Sequence, residues 1–320
     1  MTDATAPEPA AEPATEPVPP TGRQYEISAG RYRAVVVEAG AGIRELCHGD
    51  RPLLDGYARD EEPTGARGQL LLPWPNRIDR GRYAFRGEHR QLDITEPGRD
   101  TAIHGLTRWT GWTAAEQRPD RVDMTHRLHA HPGYPHVLDL RGEYALHPSH
   151  GLTVRVTATN VGAGAAPYGN GAHPYLTAGT VHVDDAVLTL PAAMWLDTDG
   201  RGIPAGAKPV QGTAYDLRTP HRLGDTAIDH AFTELVRGPD GRAWVRLENP
   251  DDGHAVSLWV DETYPWLQVF TGDALPGPLR RSGLAVEPMS CPPNAFATGA
   301  HVVVLDPGQS ATGTWGIRFD

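Results

Sequence analysis

Between residues 152 and 159 the chain alternates without a break. Leu152, Val154, Val156 and Ala158 are apolar, and Thr153, Arg155, Thr157 and Thr159 between them are polar. Successive side chains of an extended strand point to opposite faces, so this pattern buries one face and wets the other, which a helix of period 3.6 cannot do. The same period recurs over residues 25–37, 121–129, 138–146, 243–248, 255–261 and 266–271, each run bounded by turn residues. The 36 Gly and 30 Pro make up roughly a fifth of the 320 residues, well above the usual share of about 12%, and disfavour long helices. Asp252-Gly253 lies between two alternating runs and predicts a hairpin, and Asp306-Pro307-Gly308 predicts another between residues 301–305 and the final strand. The expectation is an all-β fold, a large antiparallel β-sandwich of two packed sheets. Residues 1–22 are rich in Pro, Ala and Glu, too poor in apolar surface to offset their ordering entropy, and read as a disordered tail. Residues 23–320 show no internal repeat or change of composition and read as a single domain.

Charge and composition exclude several functions. The 29 basic and 40 acidic residues give a net charge of -11, which repels a polyanionic backbone and argues against nucleic acid as a partner. Cys47 and Cys291 are too few for a disulfide framework or a four-cysteine zinc site, and two free thiols fit a reducing compartment. No apolar run is long enough for a membrane span, and the N-terminus lacks the pattern of a signal peptide, so the expected location is the cytoplasm. Gly40-Ala41-Gly42 lacks the third glycine of a dinucleotide fingerprint and reads as a tight turn. His126, His129, His131 and His136 have no carboxylate or cysteine to complete a metal-ligand set.

Five segments are neither periodic strand nor ordinary turn. Pro73-Trp74-Pro75-Asn76-Arg77-Ile78 stiffens the backbone ahead of an arginine, whose planar fork either grips adjacent hydroxyls or bonds backbone carbonyls. Ala102-Ile103-His104-Gly105 holds a histidine that is either structural or a ligand contact. Gly169-Asn170-Gly171-Ala172-His173-Pro174-Tyr175-Leu176 sets His173 on a tightly shaped turn, where it is the best candidate for a general acid. In Ile228-Asp229-His230-Ala231-Phe232 the carboxylate either accepts a ligand's hydroxyls or belongs to a turn. Glu287 ends an apolar strand before a proline-rich stretch, and is either a general base or the ion-pair partner of Arg280 or Arg281. Trp74, Trp109 and Trp112 either pack in the core or at a rim or offer a stacking face to a ligand.

In this order the five segments resemble the aldose 1-epimerase (galactose mutarotase) family, over residues 35–319. The likeness rests on Gly40-Ala41-Gly42-Ile43, Pro75-Asn76-Arg77-Ile78 with Gly81 and Tyr83, His104-Gly105, His173-Pro174-Tyr175, Asp229-His230 and Glu287-Pro288. It implies a galactose mutarotase-like supersandwich with an open sugar cleft. By the resemblance His173 is the general acid and Glu287 the general base, while Arg77, His104 and Asp229 bind the sugar together with Asn76 beside Arg77. Leu176 departs from the aromatic residue of many members, Phe270 from a common tyrosine, and Asp100-Thr101 from the asparagine that often precedes the HG pair. These departures bear on substrate preference.

The implied reaction exchanges the anomers of a free aldohexose such as glucose or galactose. It needs a proton taken from the C1 hydroxyl and one given to the ring oxygen, and no cofactor. An ionised Glu287 near His173 is expected to raise the histidine's pKa and keep it protonated. The alternatives are a hexose-6-phosphate mutarotase, with Arg77, Arg80, Arg82 and Arg86 as phosphate cations, a carbohydrate-binding domain without turnover, and a glycosidase using Asp229 and Glu287. The partner is a small aldose, and the assembly a monomer or homodimer.

Overall fold

The run at residues 152–159 becomes the strand Gly151–Asn160, its four alternating apolar side chains fully buried and Arg155 exposed. The computed structural model describes residues 17–320, and Gly151–Asn160 lies inside a sheet of nine antiparallel strands. Their order is Thr113–Arg118, Arg121–Leu128, Leu138–His147, Gly151–Asn160, Ser310–Phe319, Ala255–Val260, Ala243–Glu248, Val187–Thr189 and His221–Arg222. A second, eight-stranded sheet runs Pro204–Pro209, Ala192–Thr198, Asp229–Leu235, Trp266–Phe270, Leu284–Met289, Gly171–Ala172 and Leu70–Leu71, with Tyr175–Leu176 also on Leu284–Met289.

One buried apolar cluster joins the two sheets. It takes Val154, Val156, Leu258 and Trp315 from the first and Phe232, Leu267, Val269, Leu284 and Val286 from the second. Burying each such side chain contributes about 1.5–3 kcal/mol relative to exposure, so this shared face holds the sandwich together. Because strand side chains alternate, the intervening residues Asp229, Gln268, Phe270 and Glu287 belong to the opposite face of the second sheet. That face carries the site.

The all-β antiparallel reading stands, and three local expectations need correction or restriction. Residues 25–37 are a hairpin of Gln24–Ala29 and Tyr32–Val37 rather than one strand, because the chain turns at Gly30. Asp252-Gly253 does close the hairpin between Ala243–Glu248 and Ala255–Val260. Asp306-Pro307-Gly308 turns the chain without closing one: Val303–Leu305 pairs with Ala166–Tyr168, whereas Ser310–Phe319 pairs with Gly151–Asn160 and Ala255–Val260. A turn sets a change of direction, and here the next strand finds a better partner in another sheet. Of the segment read as a tail, residues 1–16 lie outside the described residues. Thr21 is buried, and its carbonyl accepts a hydrogen bond from the Ala39 N–H.

Candidate active site

Glu287 sits inside the strand Leu284–Met289, whose six residues are all buried. Gly171 pairs with Met289 and Tyr175 with Ala285, so the same register brings residue 173 opposite residue 287. Pro174 interrupts the paired strand between them, and its carbonyl accepts the Val286 N–H. The His173 backbone is held on its other side, where its N–H donates to the Gln69 carbonyl and its own carbonyl accepts from the Gly68 N–H. The result is a contact of 3.3 Å between His173 Nε2 and Glu287 Oε1, with both side chains buried. Tyr175 stacks on the imidazole at 5.0 Å between centroids, and the Arg67 guanidinium caps Tyr175 at 4.2 Å.

The remaining predicted residues converge on the same place. Asp229 lies two strands away, and Gln268, on the strand between them and directly across from Glu287, donates to it at 2.7 Å. Arg77 begins a short strand that pairs with Thr101–Ile103, which puts Asn76 beside His104. Both of these flanking residues have left-handed backbones, with φ of 53° and 61°, a cost that persists where the surroundings over-determine it. The Asn76 N–H donates to His104 Nδ1 at 3.2 Å, and the His104 N–H to the Asn76 carbonyl at 2.9 Å. A ring nitrogen that accepts a hydrogen bond carries no proton, so neutral His104 keeps its proton on Nε2 and presents a donor. Arg77 bonds Glu96 in a fork, at 2.7 and 3.0 Å.

A cavity of about 330 Å³ is lined by Asn76, Arg77, His104, His173, Asp229 and Glu287, together with Arg108, Trp109, Phe270 and Glu62 at its sides. A hexose fits such a volume, and the lining combines apolar surface with a few convergent polar groups, as small-molecule sites do. Glu287 Oε2 and His173 Nδ1 are buried without a hydrogen-bond partner among the described residues. Unpaired buried polar atoms at a cavity are places where a ligand's hydroxyls repay the desolvation.

Burial dominates the electrostatics. It pushes the Glu287 carboxyl well above its ordinary value, with Asp229's charge adding to the shift and Arg77 opposing it. His173 is pulled well below its ordinary value, first by burial and then by the charge of Arg108. His104 is lowered likewise, by burial, His173, Arg108 and Arg77. The expectation of an ionised Glu287 beside a protonated His173 is thereby corrected. The low-dielectric pocket favours neutral partners, so one proton is shared across the 3.3 Å contact.

This arrangement makes stability depend on pH in a defined sense. Unfolded, the two groups titrate near their ordinary values of 4.5 and 6.5. Between those values folded and unfolded chains each hold one proton on the pair, and the pair contributes no pH dependence. Above 6.5 the unfolded chain holds none and the native pair still holds one, so stability falls as pH rises, by up to about 1.4 kcal/mol per pH unit. Below 4.5 the unfolded chain holds two, and stability falls as pH falls. Glu287→Gln leaves a neutral His173 with no shared proton and removes the alkaline limb. Thermal melts from pH 6.5 upward should show the wild type losing Tm relative to this variant; a constant difference would exclude the shared proton.

The structure also separates residues that composition could not. Trp109 is exposed at the cavity rim, whereas Trp74 and Trp112 are core residues. Arg281 binds Asp184 and Asp273, at 2.6 and 2.8 Å, and is not the partner of Glu287. Of the four arginines considered for a phosphate, only Arg77 lines the cavity, and it is engaged by Glu96. Arg80 faces Asp100, Arg82 bonds Gln91 and Arg86 bonds Asp306, all away from the site. His131 faces Asp93 at 3.4 Å and His126 bonds the Gly111 carbonyl. Among the described residues the one group with metal-ligand spacing is His104, His173 and Glu287, but the accepting Nδ1 of His104 leaves its Nε2 a proton donor rather than a ligand. Sequence reasoning missed Glu96, Gln268 and Arg108. A lone polar residue in the apolar run 266–270 was a legible signal for Gln268, and Glu96 and Arg108 had none.

A family model described as aldose 1-epimerase matches residues 23–318. The protein YihR of Escherichia coli K12, which is uncharacterised, is 36% identical over 290 residues, covering 90% of this chain and 91% of YihR. Human galactose mutarotase is 26% identical over 343 residues, covering 93% and 94% of the two chains. Among solved structures, a GalM/aldose epimerase homologue from C. elegans matches with a TM-score of 0.84 at 17% identity, covering 93% of this chain and 98% of that one. A galactose 1-epimerase from Lactobacillus acidophilus matches at 0.78 with 21% identity, covering 92% of each. At these identities the solved structures speak for the fold.

Proposed function

Since this chain belongs to the aldose 1-epimerase family of isomerases, we propose that it interconverts the α and β anomers of an aldohexose, with His173 and Glu287 as its acid–base pair. The observation that carries this is the 3.3 Å approach of the two side chains in the wall of a hexose-sized cavity. The C1 hydroxyl and the ring oxygen O5 are bonded to one carbon. An acid and a base that serve both must therefore stand side by side, which is the arrangement of this pair.

Binding places the sugar where it accepts from His104 Nε2–H, Arg77 and the Asn76 amide, and donates to Asp229. Sugar hydroxyls then partner Glu287 Oε2 and His173 Nδ1, which have no protein partner among the described residues, and favour the charged form of the pair. Glu287, ionised, removes the proton from O1. The C1–O5 bond breaks, its electron pair goes to O5, and O5 takes the proton from His173. The product is the open aldehyde. Rotation about C1–C2 turns the other carbonyl face to O5, which attacks C1 as its proton returns to His173, while the carbonyl oxygen recovers the proton from Glu287. Every proton borrowed is returned, so the reaction needs no net donor.

Polarimetry on freshly dissolved α-glucose and α-galactose tests the reading. The enzyme is expected to speed the decay of optical rotation to its equilibrium value. No acceleration with any aldose or aldose phosphate overturns it.

A further inference from the structure

We propose that Glu96 is a positioning residue for sugar binding: it draws the Arg77 and Arg99 guanidiniums to itself and so keeps the Asp229 carboxylate open to the substrate's hydroxyls. This rests on the epimerase reading and goes beyond it, by giving a role to a side chain that does not line the cavity.

Local structure brings the carboxylate to its place. Pro97–Arg99 form one turn of 3-10 helix, and Asp100 at its end has a left-handed backbone with φ of 52°. The loop closes on itself, since the Glu96 N–H donates to the Thr101 carbonyl at 3.0 Å and the Thr101 N–H to the Glu96 carbonyl at 3.3 Å. Thr101 in turn begins the strand that pairs with Arg77–Asp79. Glu96 is thereby delivered beside Arg77, which it holds by two bonds, and the Thr101 hydroxyl donates to the same carboxylate at 2.7 Å. Burial opposes the charge, but the bonds from Arg77 and Thr101 outweigh it and hold the Glu96 carboxyl below its ordinary value, so the group stays ionised.

Two cations and two carboxylates meet here. Arg99 Nε stands 3.5 Å from Glu96 Oε1, and Arg99 Nη2 stands 3.9 Å from Asp229 Oδ2. Its guanidinium makes no hydrogen bond among the described residues, so it lies between the two carboxylates without closing on either. Asp229 accepts from Gln268 at 2.7 Å through Oδ1, and its Oδ2 accepts no hydrogen bond among the described residues. A guanidinium can engage both oxygens of a carboxylate at once, which is a strong pairing and would occupy the lone pairs that a sugar hydroxyl needs. Glu96 prevents this by taking the fork of Arg77 and by drawing Arg99 away.

The hairpin turn between Ala192–Thr198 and Pro204–Pro209 confines both cations. A Cβ on Gly202, where φ is 76°, would lie 2.8 Å from Arg99 Nη1 and 2.9 Å from Arg77 Nη1, and Arg201 ties the turn to Asp79 at 2.7 Å. With the turn packed against them, the guanidiniums have Glu96 and Asp229 as their carboxylate partners, and the charge on Glu96 decides between the two. Asp229 binds and does not transfer protons, so the consequence falls on KM rather than kcat.

The test follows anomer exchange by NMR for glucose, galactose and glucose 6-phosphate, and takes KM and kcat for whichever the wild type exchanges fastest. The variants are Glu96→Gln, Glu96→Asp, Arg99→Gln and the double variant Glu96→Gln/Arg99→Gln. Glutamine keeps the shape of glutamate and loses its charge, so Glu96→Gln should raise KM about tenfold as the released guanidiniums turn to Asp229, with kcat changed less than about threefold. Glu96→Asp keeps the charge and should recover part of that loss. Arg99→Gln removes a competitor for Asp229 and should lower KM about twofold, and the double variant should show a lower KM than Glu96→Gln. Thermal melts separate this from damage to the fold, which would lower Tm and the folded fraction, and with it the apparent kcat, while leaving KM alone. An unchanged KM in Glu96→Gln, a raised KM in Arg99→Gln, or a double variant no better than Glu96→Gln overturns the inference and leaves the epimerase reading intact. Failure of the wild type to exchange any aldose or aldose phosphate overturns both.

Discussion

Glu287→Gln is expected to lower kcat for anomer exchange by roughly 10²- to 10⁴-fold, the range a positioned acid or base contributes. The effect is chemical, because glutamine has nearly the shape of a protonated glutamate and can occupy the same buried place opposite Gln268. It cannot take up and return a proton. His173→Asn should lose as much, since ring opening needs both transfers in one event. The double variant should fall little below either single one, as residues that act as a unit are strongly non-additive. KM for the sugar is expected to change less than kcat, because the groups proposed to bind it are on Arg77, His104 and Asp229. Purified, folded variants with wild-type exchange rates would remove these two side chains from the mechanism. Losses in the double variant equal to the product of the single losses would mean that they act independently.

The second large effect is on the backbone that carries the sugar-facing loop. Gly105 follows His104 with φ of 72°, and a Cβ there would lie 2.0 Å from the Leu72 carbonyl oxygen and 2.4 Å from its carbon. These are main-chain atoms that cannot rotate aside, and Leu72 O also accepts the Leu106 N–H at 2.7 Å. Gly105→Ala thus combines a left-handed alanine with overpacking against backbone, and is expected to cost about 2–5 kcal/mol. Urea denaturation measures this directly, and a midpoint within error of the wild type would show that the loop relaxes freely. Any folded fraction should bind sugar poorly, because the loop supplies the His104 donor on one side of the glycine and Arg108 on the other.

Much of the architecture could be read before any coordinates. Period-two runs survive as strands in Arg121–Leu128, Leu138–His147, Gly151–Asn160, Ala243–Glu248, Ala255–Val260 and Trp266–Phe270; in Leu138–His147, Gly151–Asn160 and Ala243–Glu248 the alternation also reports which side chains are buried, because there the sheet has one wet face. It fails in two informative ways. Residues 25–37 alternate across a turn, since period alone does not reveal where a strand folds back on itself. The residues around Glu287 hardly alternate, because both faces of Leu284–Met289 are buried, and so Glu287 looked like the end of a strand when it lies within one.

The site divides along the same line. Amino-acid type and local order suffice to nominate His173, Glu287, Arg77, His104 and Asp229, since a histidine beside glycines and proline, or a glutamate among apolar residues, is anomalous where it stands. Partnerships are another matter. That residue 173 faces 287, that Glu96 rather than solvent holds Arg77, and that Gln268 ties Asp229 are consequences of register and loop docking between segments up to more than a hundred residues apart. Nothing local encodes them, because long-range pairing is chosen by the packing of the whole core. The charge states moved furthest from expectation for the same reason. A carboxyl or imidazole responds to the water it has lost and to the charges folded up against it, and those exist only once the sheets have closed.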